Sequence, residues 1–189
     1  MSDRRTELYE WMREYREFDL TAWERLPDIE LYMDQITGYL NRQLRMQARE
    51  DREQGQILTS SMINNYVKQR LITPPVKKRY NREQVARLYC ICLLKRVFSI
   101  AEVKHLLEVQ MCSYPFPQAY DYFCVELEKA LQATFSNRDF SAPSSAQRVT
   151  PESELVRLSA LAFANKLFAV KFLQRYDRTL LQENGGAEA

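Results

Sequence analysis

Apolar residues along this chain recur at three- and four-residue intervals, and hardly anywhere at every second position, so the pattern predicts helices rather than strands. Leu8, Trp11, Met12 and Tyr15 mark an amphipathic helix over 3–18. After a break at Leu26-Pro27-Asp28, Asp28 is suited to cap a helix start, and Tyr32, Met33, Ile36, Tyr39, Leu40 and Leu44 trace a helix from Asp28 to about Arg45. The stretch 47–56 has no apolar residue except Ala48 and reads as a solvated helix end and a loop closed near Gly55. Thr59 or Ser60 caps a short helix ending near Gln69, and Pro74-Pro75 forbids helix beyond it. Asn81 with Gln84, and Ser99 with Glu102, have capping-box spacing and open two further helices.

The segment 112–117, CSYPFP, predicts a linker, followed by a helix over about 118–135. The run 137–150 is rich in Ser, Ala and Pro and predicts a flexible loop. Thr150-Pro151-Glu152 has the order of N-cap, first-turn proline and first-turn acid for a last helix reaching about Gln182. That helix is apolar on nearly every side between Leu155 and Leu173, which places it at the centre of a bundle or at a subunit interface. The reading is an all-α protein: an N-terminal helix over 1–25, a domain over 26–111, a helical bundle and dimerisation region over 117–184, and a disordered tail over 185–189.

Composition changes this picture little. Hydrophobic residues at 46% and charged residues at 28% describe an ordinary soluble globular chain. A net charge of +2 is uninformative, but its distribution is not. From Met62 to Arg87 there are seven bases (Lys68, Arg70, Lys77, Lys78, Arg79, Arg82, Arg87) against one acid, Glu83, while acids outnumber bases over 1–34. Such a local field attracts polyanions; a solvated charged face is the bland alternative. The N-terminus lacks the apolar core of a signal peptide, and the apolar run 158–173 holds Lys166 and Lys171 and falls short of the roughly 20 residues a membrane span needs. A cytoplasmic protein without membrane contact is expected. Cys90, Cys92, Cys112 and Cys124 read as buried free thiols; a metal or redox site at Cys112 and Cys124 is the alternative.

The chemistry concentrates between 58 and 107. On the helix over 60–69, Met62, Ile63 and Tyr66 face one side, with Leu71 and Ile72 just beyond, while Ser61, Asn64, Asn65 and Lys68 share the other. An Asn amide matches the N6/N7 edge of adenine in the major groove, Lys68 suits guanine or phosphate, and Ser61 near the helix start can donate to phosphate. A plain solvent-exposed polar face is the alternative for this helix taken alone. Lys77-Lys78-Arg79 follows the stiff Pro-Pro turn, so three cations stand on a restrained backbone as a wing for a phosphate strand. Tyr80, just before a cap, is expected to pack back into the domain.

The run MINNYVKQRLI followed by PPVKKRYNREQVARLYCICLLKRVFSIAEVKHLLEV resembles the DNA-binding domain of MerR-type regulators. Ile63 and Tyr66 match its helix, Leu71-Ile72 its turn, Lys78-Arg79-Tyr80 its wing end and residues 98–103 its final junction; Arg70 stands where the turn glycine is usual. LPDIELYMDQI with MINNYVK resembles, more closely, an uncharacterised bacterial domain family labelled YkrK-like. The resemblance implies a MerR-like winged helix-turn-helix whose first helix starts at Asp28; the C-terminal helical bundle is read from the apolar pattern and not from the resemblance. It implies DNA contact through Ser61, Asn64, Asn65, Tyr66, Lys68, Lys77, Lys78 and Arg79, and operator distortion.

Enzyme readings fail on inventory: His105 is the single histidine, and neither a glycine-rich phosphate loop nor metal-ligand spacing is present. No cofactor or metal is expected. The function expected is sequence-specific binding of double-stranded DNA as a transcriptional regulator, read as a repressor, with the last helix supporting a homodimer. The alternative is a helical protein-interaction adaptor that keeps the fold without binding DNA. A small-molecule effector lined by Phe163, Phe168, Phe172 and Tyr176 is a further option beside simple core packing.

Overall fold

The computed structural model describes residues 19–48 and 57–185. The helix expected over 3–18, most of the loop expected over 47–56 and the tail from 186 lie outside the described residues. Six α-helices and a two-stranded antiparallel sheet are present among those described. A single 3₁₀ turn, Trp23–Arg25, leads to strand β1, Leu31–Tyr32, and helix α1, Met33–Ala48. Helix α2, Ser60–Lys68, is followed by β2, Arg79–Tyr80, α3, Arg82–Leu94, and α4, Ile100–Ser113. Helix α5, Phe116–Gln132, ends in a π turn, Ala133–Asn137, and α6 spans Pro151–Gly185.

Local chemistry explains most helix starts. The Thr59 side chain accepts from the Met62 N–H at the head of α2. Asn81 with Gln84 and Ser99 with Glu102 each close a complete capping box, satisfying two otherwise orphaned donors apiece. At α6, Thr150 and Ser153 exchange backbone-to-side-chain bonds of 3.2 and 2.9 Å.

The structure corrects several expectations. The helix expected from Asp28 begins at Met33, because Leu31 and Tyr32 pair with Tyr80 and Arg79. Apolar spacing alone continued the helical stripe into residues whose backbone groups are taken by a distant strand. The linker expected over 112–117 shrinks to Tyr114-Pro115, since Pro117 fits the first turn of α5. The segment expected to be a flexible loop over 137–150 is a strap tied down by side chains. Arg157 donates to the carbonyls of Ala142 and Ser141 at 3.0 and 2.8 Å, and Asn165 donates to that of Phe140. The buried carboxylate of Glu126 accepts from the Ser145 N–H at 2.6 Å and from its hydroxyl. Helix α6 continues to Gly185, which was expected in the tail. It is not covered on every side: Leu158, Val170 and Leu173 are exposed.

One hydrophobic cluster runs without interruption from Leu20 through α1, α2, α3 and α5 to Phe168 on α6. Helix α5 is its spine. Tyr120 donates to the Thr21 carbonyl at 2.7 Å, and Asp121 and Glu128 accept the N–H groups of Trp23 and Leu20 at 2.7 and 2.5 Å. Phe163 and Phe168 are core side chains, with Phe168 edge-on to Phe135 and Phe140 and stacked on Phe172. Three of the four aromatic side chains named for an effector pocket thus pack in or against the core, and the Tyr176 side chain lies outside the described residues.

Cys90, Cys92 and Cys124 are free and buried. Desolvation pushes the Cys90 thiol well up, that of Cys92 to about 11 and that of Cys124 to about 12. The thiolate is the reactive form, so these three should resist iodoacetamide in the native protein at pH 8 and alkylate fully in denaturant. Peptide mapping by mass spectrometry reads this directly; native labelling of any of the three would mean that the core around α3 and α5 opens readily.

Candidate nucleic-acid interface

Helix α2 is held in place from its buried side. Ile63 and Tyr66 are buried, as is Leu58 just before the helix. Asn41 on α1, itself buried, both donates to the Leu58 carbonyl at 2.7 Å and accepts its N–H at 3.0 Å. The amide therefore pairs with both main-chain groups of Leu58, much as a neighbouring strand would. Lys95 at the end of α3 donates to the Ile57 carbonyl at 2.9 Å, and burial lowers the pKa of this half-buried amine. With its entry fixed at two points, α2 presents Ser61, Asn64, Asn65 and Lys68 to solvent; all four are exposed. Their side chains make no hydrogen bond among the described residues. Tyr66, grouped with them on the strength of the resemblance, is 3% exposed and is a core residue, so DNA contact by its ring is corrected.

The end of α2 is a Schellman motif. The Arg70 N–H reaches the Val67 carbonyl at 3.0 Å and the Leu71 N–H reaches that of Tyr66 at 2.9 Å. Arg70 occupies the left-handed position, φ 59°, where glycine is normal. Further on, between Val76 and Arg79, the chain reverses in a two-residue hairpin. Val76 and Arg79 exchange N–H···O bonds of 3.1 and 2.9 Å, with Lys77 at φ 48° and Lys78 at φ 65° between them. Positive φ at both loop residues is the type I′ turn, which ordinarily takes Asn-Gly because L side chains crowd the backbone there. Each non-glycine residue so placed costs on the order of 1 kcal/mol. Three exposed cations thus sit at positions where glycine or asparagine would be more stable.

The hairpin is clamped at its base. Gln84, buried at the first turn of α3, accepts the Asn81 N–H at 2.8 Å and donates to the carbonyls of Thr73 and Pro74 at 2.8 and 3.2 Å. Tyr80 packs into the core as expected, while Lys77, Lys78 and Arg79 are exposed. The Arg79 guanidinium lies 5.1 Å from the Tyr32 ring centroid and donates to its hydroxyl at 3.1 Å, a bond that raises the arginine pKa.

The basic residues are not equivalent. Arg87 is mostly buried, bonded to Glu83 at 2.6 Å and stacked 4.6 Å above Phe116. Arg82 sits 3.5 Å from Glu24 and over Trp23. Lys68, Arg70, Lys77 and Lys78 have no ion-pair partner among the described residues. Seven bases read from the sequence as one field; the two on α3, Arg82 and Arg87, are paired with acids and aromatic rings.

It also missed three residues. Asn41 could have been found as a lone amide inside the apolar stripe of α1. Gln84 was read only as half of a capping box. Lys104 on α4 carried no signal of its own; it lines a cleft with Lys68 and Arg70. His105, away from the apolar face of α4, is exposed and 3.8 Å from Glu108. Among the described residues, no three His, Cys, Asp or Glu side chains are grouped to hold a metal ion, and no helix is long and apolar enough to cross a membrane.

Comparison with curated proteins and with solved structures returned no match. The scan against family models corrects the assignment made from motifs. Nothing in it indicates a MerR-type regulator, and the short motifs shared with that family and with the YkrK-like one do not establish membership of either. The matching model, described as "Domain of unknown function (DUF1836)", covers residues 21–123, more than half of the chain, and it is to this family that the chain belongs.

Proposed function

We propose that the protein is a sequence-specific DNA-binding transcriptional regulator, acting as a repressor, in which α1 and α2 form a helix-turn-helix and the hairpin over 76–79 is its wing. The observation that carries the reading is the Lys77-Lys78 turn. A sequence free to choose would put Asn-Gly there, so two lysines at a strained tip argue that their charge serves a polyanion. The exposed face of α2 supplies what a charged tip lacks. Asn64 and Asn65 can read base edges, while Lys68 and the hairpin position the duplex through phosphates.

Two copies would bind together through α6, whose exposed Leu158, Val170 and Leu173 offer apolar surface to a second chain. Two α2 helices would then meet half-sites about one helical turn, roughly 34–36 Å, apart.

Selection from randomised duplex DNA tests the proposal. The wild-type protein should enrich one motif with two half-sites and hold it at two chains per duplex by light scattering. Asn64→Ala with Asn65→Ala should keep the melting temperature and lose preference at particular base pairs, about 1–3 kcal/mol for each bidentate pair removed. An unchanged motif would place the reading face elsewhere. No retained DNA at low salt would favour the adaptor alternative.

A further inference from the structure

A cleft of about 560 Å³ opens between the end of α2 and α4, beside the face assigned to DNA. Its volume falls in the range of small-molecule sites, roughly 300–1,000 Å³. The inner wall is apolar, made by Leu71, Ile72 and Leu107, all buried. Lys68, Arg70 and Lys104 also line it, and none has an ion-pair partner among the described residues. Glu108 is one acid in the lining, and Arg87 behind it is matched by Glu83. Three free cations against one acid leave an excess of two positive charges, the charge of a phosphate monoester dianion rather than of a strand phosphodiester. Arg70 adds an independent sign. It takes the left-handed closing position of α2, φ 59°, where glycine would be at ease, and it lines the cleft. A guanidinium suits the paired oxygens of a phosphate.

We propose that this cleft binds a small phosphate monoester, with Lys68, Arg70 and Lys104 around the phosphate and the apolar part of the ligand against Leu71, Ile72 and Leu107. Lys68 belongs to both the cleft and the outward face of α2, so a bound monoester withdraws one cation from the duplex and adds negative charge beside it. Ligand and DNA therefore oppose each other. Only this last step rests on the DNA-binding reading; occupation of the cleft does not.

Phenyl phosphate is a suitable probe, being a dianion above pH 7 with one small apolar group. Calorimetry on the full chain in low-salt buffer should find one site per chain, with inorganic phosphate binding more weakly and dimethyl phosphate hardly at all. Arg70→Gly and Lys104→Gln should each weaken phenyl phosphate about tenfold, the loss expected for one charge-assisted contact. Arg70→Gly should do so while melting no lower than wild type, because glycine relieves the left-handed position, and that separates lost charge from lost fold. Phenyl phosphate should also release DNA from wild type and release it less readily from the Lys104→Gln protein. Absence of binding, or binding that both substitutions leave unchanged, overturns the proposal. So does a Lys104→Gln protein that fails to bind the probe better or worse than wild type but loses about 0.9 from the DNA salt slope, since the cleft would then follow a strand. Should the chain bind no DNA under any condition, the calorimetric arm still decides the site.

Discussion

Exchanging Lys77-Lys78 for Asn-Gly should give a protein that melts higher and binds duplex DNA far more weakly. The two effects come from the same pair of substitutions and point in opposite directions, which makes the outcome hard to mimic. Both lysines lie at positive φ in the two-residue turn between Val76 and Arg79. Asn-Gly is the preferred pair for that geometry, so relief of about 1 kcal/mol per residue is expected in chemical denaturation. Against this, each lysine that contacts a phosphate contributes a slope of about 0.9 in log affinity against log salt. Loss of two contacts lowers the slope by about 1.8 and the affinity at 0.1 M salt by roughly sixtyfold. Fluorescence anisotropy with one labelled duplex at three salt concentrations measures both. A more stable protein with an unchanged salt slope would leave the hairpin without a role in DNA binding. A less stable one would contradict the turn geometry itself.

A fragment that stops at Phe123, where the family match ends, should fail to fold cooperatively. The matched segment includes only the first half of α5, Phe116–Gln132, and the cut removes Glu128, which holds the Leu20 N–H at 2.5 Å. It also removes α6. Leu94, Leu107, Tyr120 and Phe123 are buried and share a small apolar void with Val156 of that helix. Uncovering these four alone costs about 6–12 kcal/mol at 1.5–3 kcal/mol per large side chain. Whole domains are stable by about 5–15 kcal/mol. The expected observation is a broad thermal transition with strong dye binding to exposed apolar surface, against a sharp transition for the full chain. A sharp, reversible melt of the fragment would show that α6 is an appendage and not part of the core.

Both expectations depend on features of unequal visibility in the chain. The capping boxes at Asn81 and Ser99 and the inward packing of Tyr80 were legible, because each depends on a few neighbouring residues. The two-faced character of α2 was legible for the same reason, and all of Ser61, Asn64, Asn65 and Lys68 are exposed. Strand β1 was not, since Leu31 and Tyr32 continue an apolar helical stripe and are extended only because Arg79 and Tyr80 pair with them. The left-handed lysines carried no warning, as nothing in KK resembles the Asn-Gly that announces such a turn. Ser, Ala and Pro in 137–150 suggested mobility, yet the ties come from Glu126, Arg157 and Asn165 on other elements, which composition cannot reveal. Kinship was the weakest inference. Short basic and apolar motifs pointed to the MerR-type regulators, which the match over 21–123 does not indicate.

The ladder that joins β1 to β2 has only two residue pairs, yet it connects the hairpin to the residue just before α1 starts, and Arg79 adds a contact to Tyr32 across it. A hairpin anchored in this way is not a free arm. The hairpin is thereby tied to the start of α1, and Asn41 further along α1 ties that helix to Leu58 ahead of α2. A hairpin and helix joined in this way would meet a common surface as one braced unit, as a hand closes with its thumb already set.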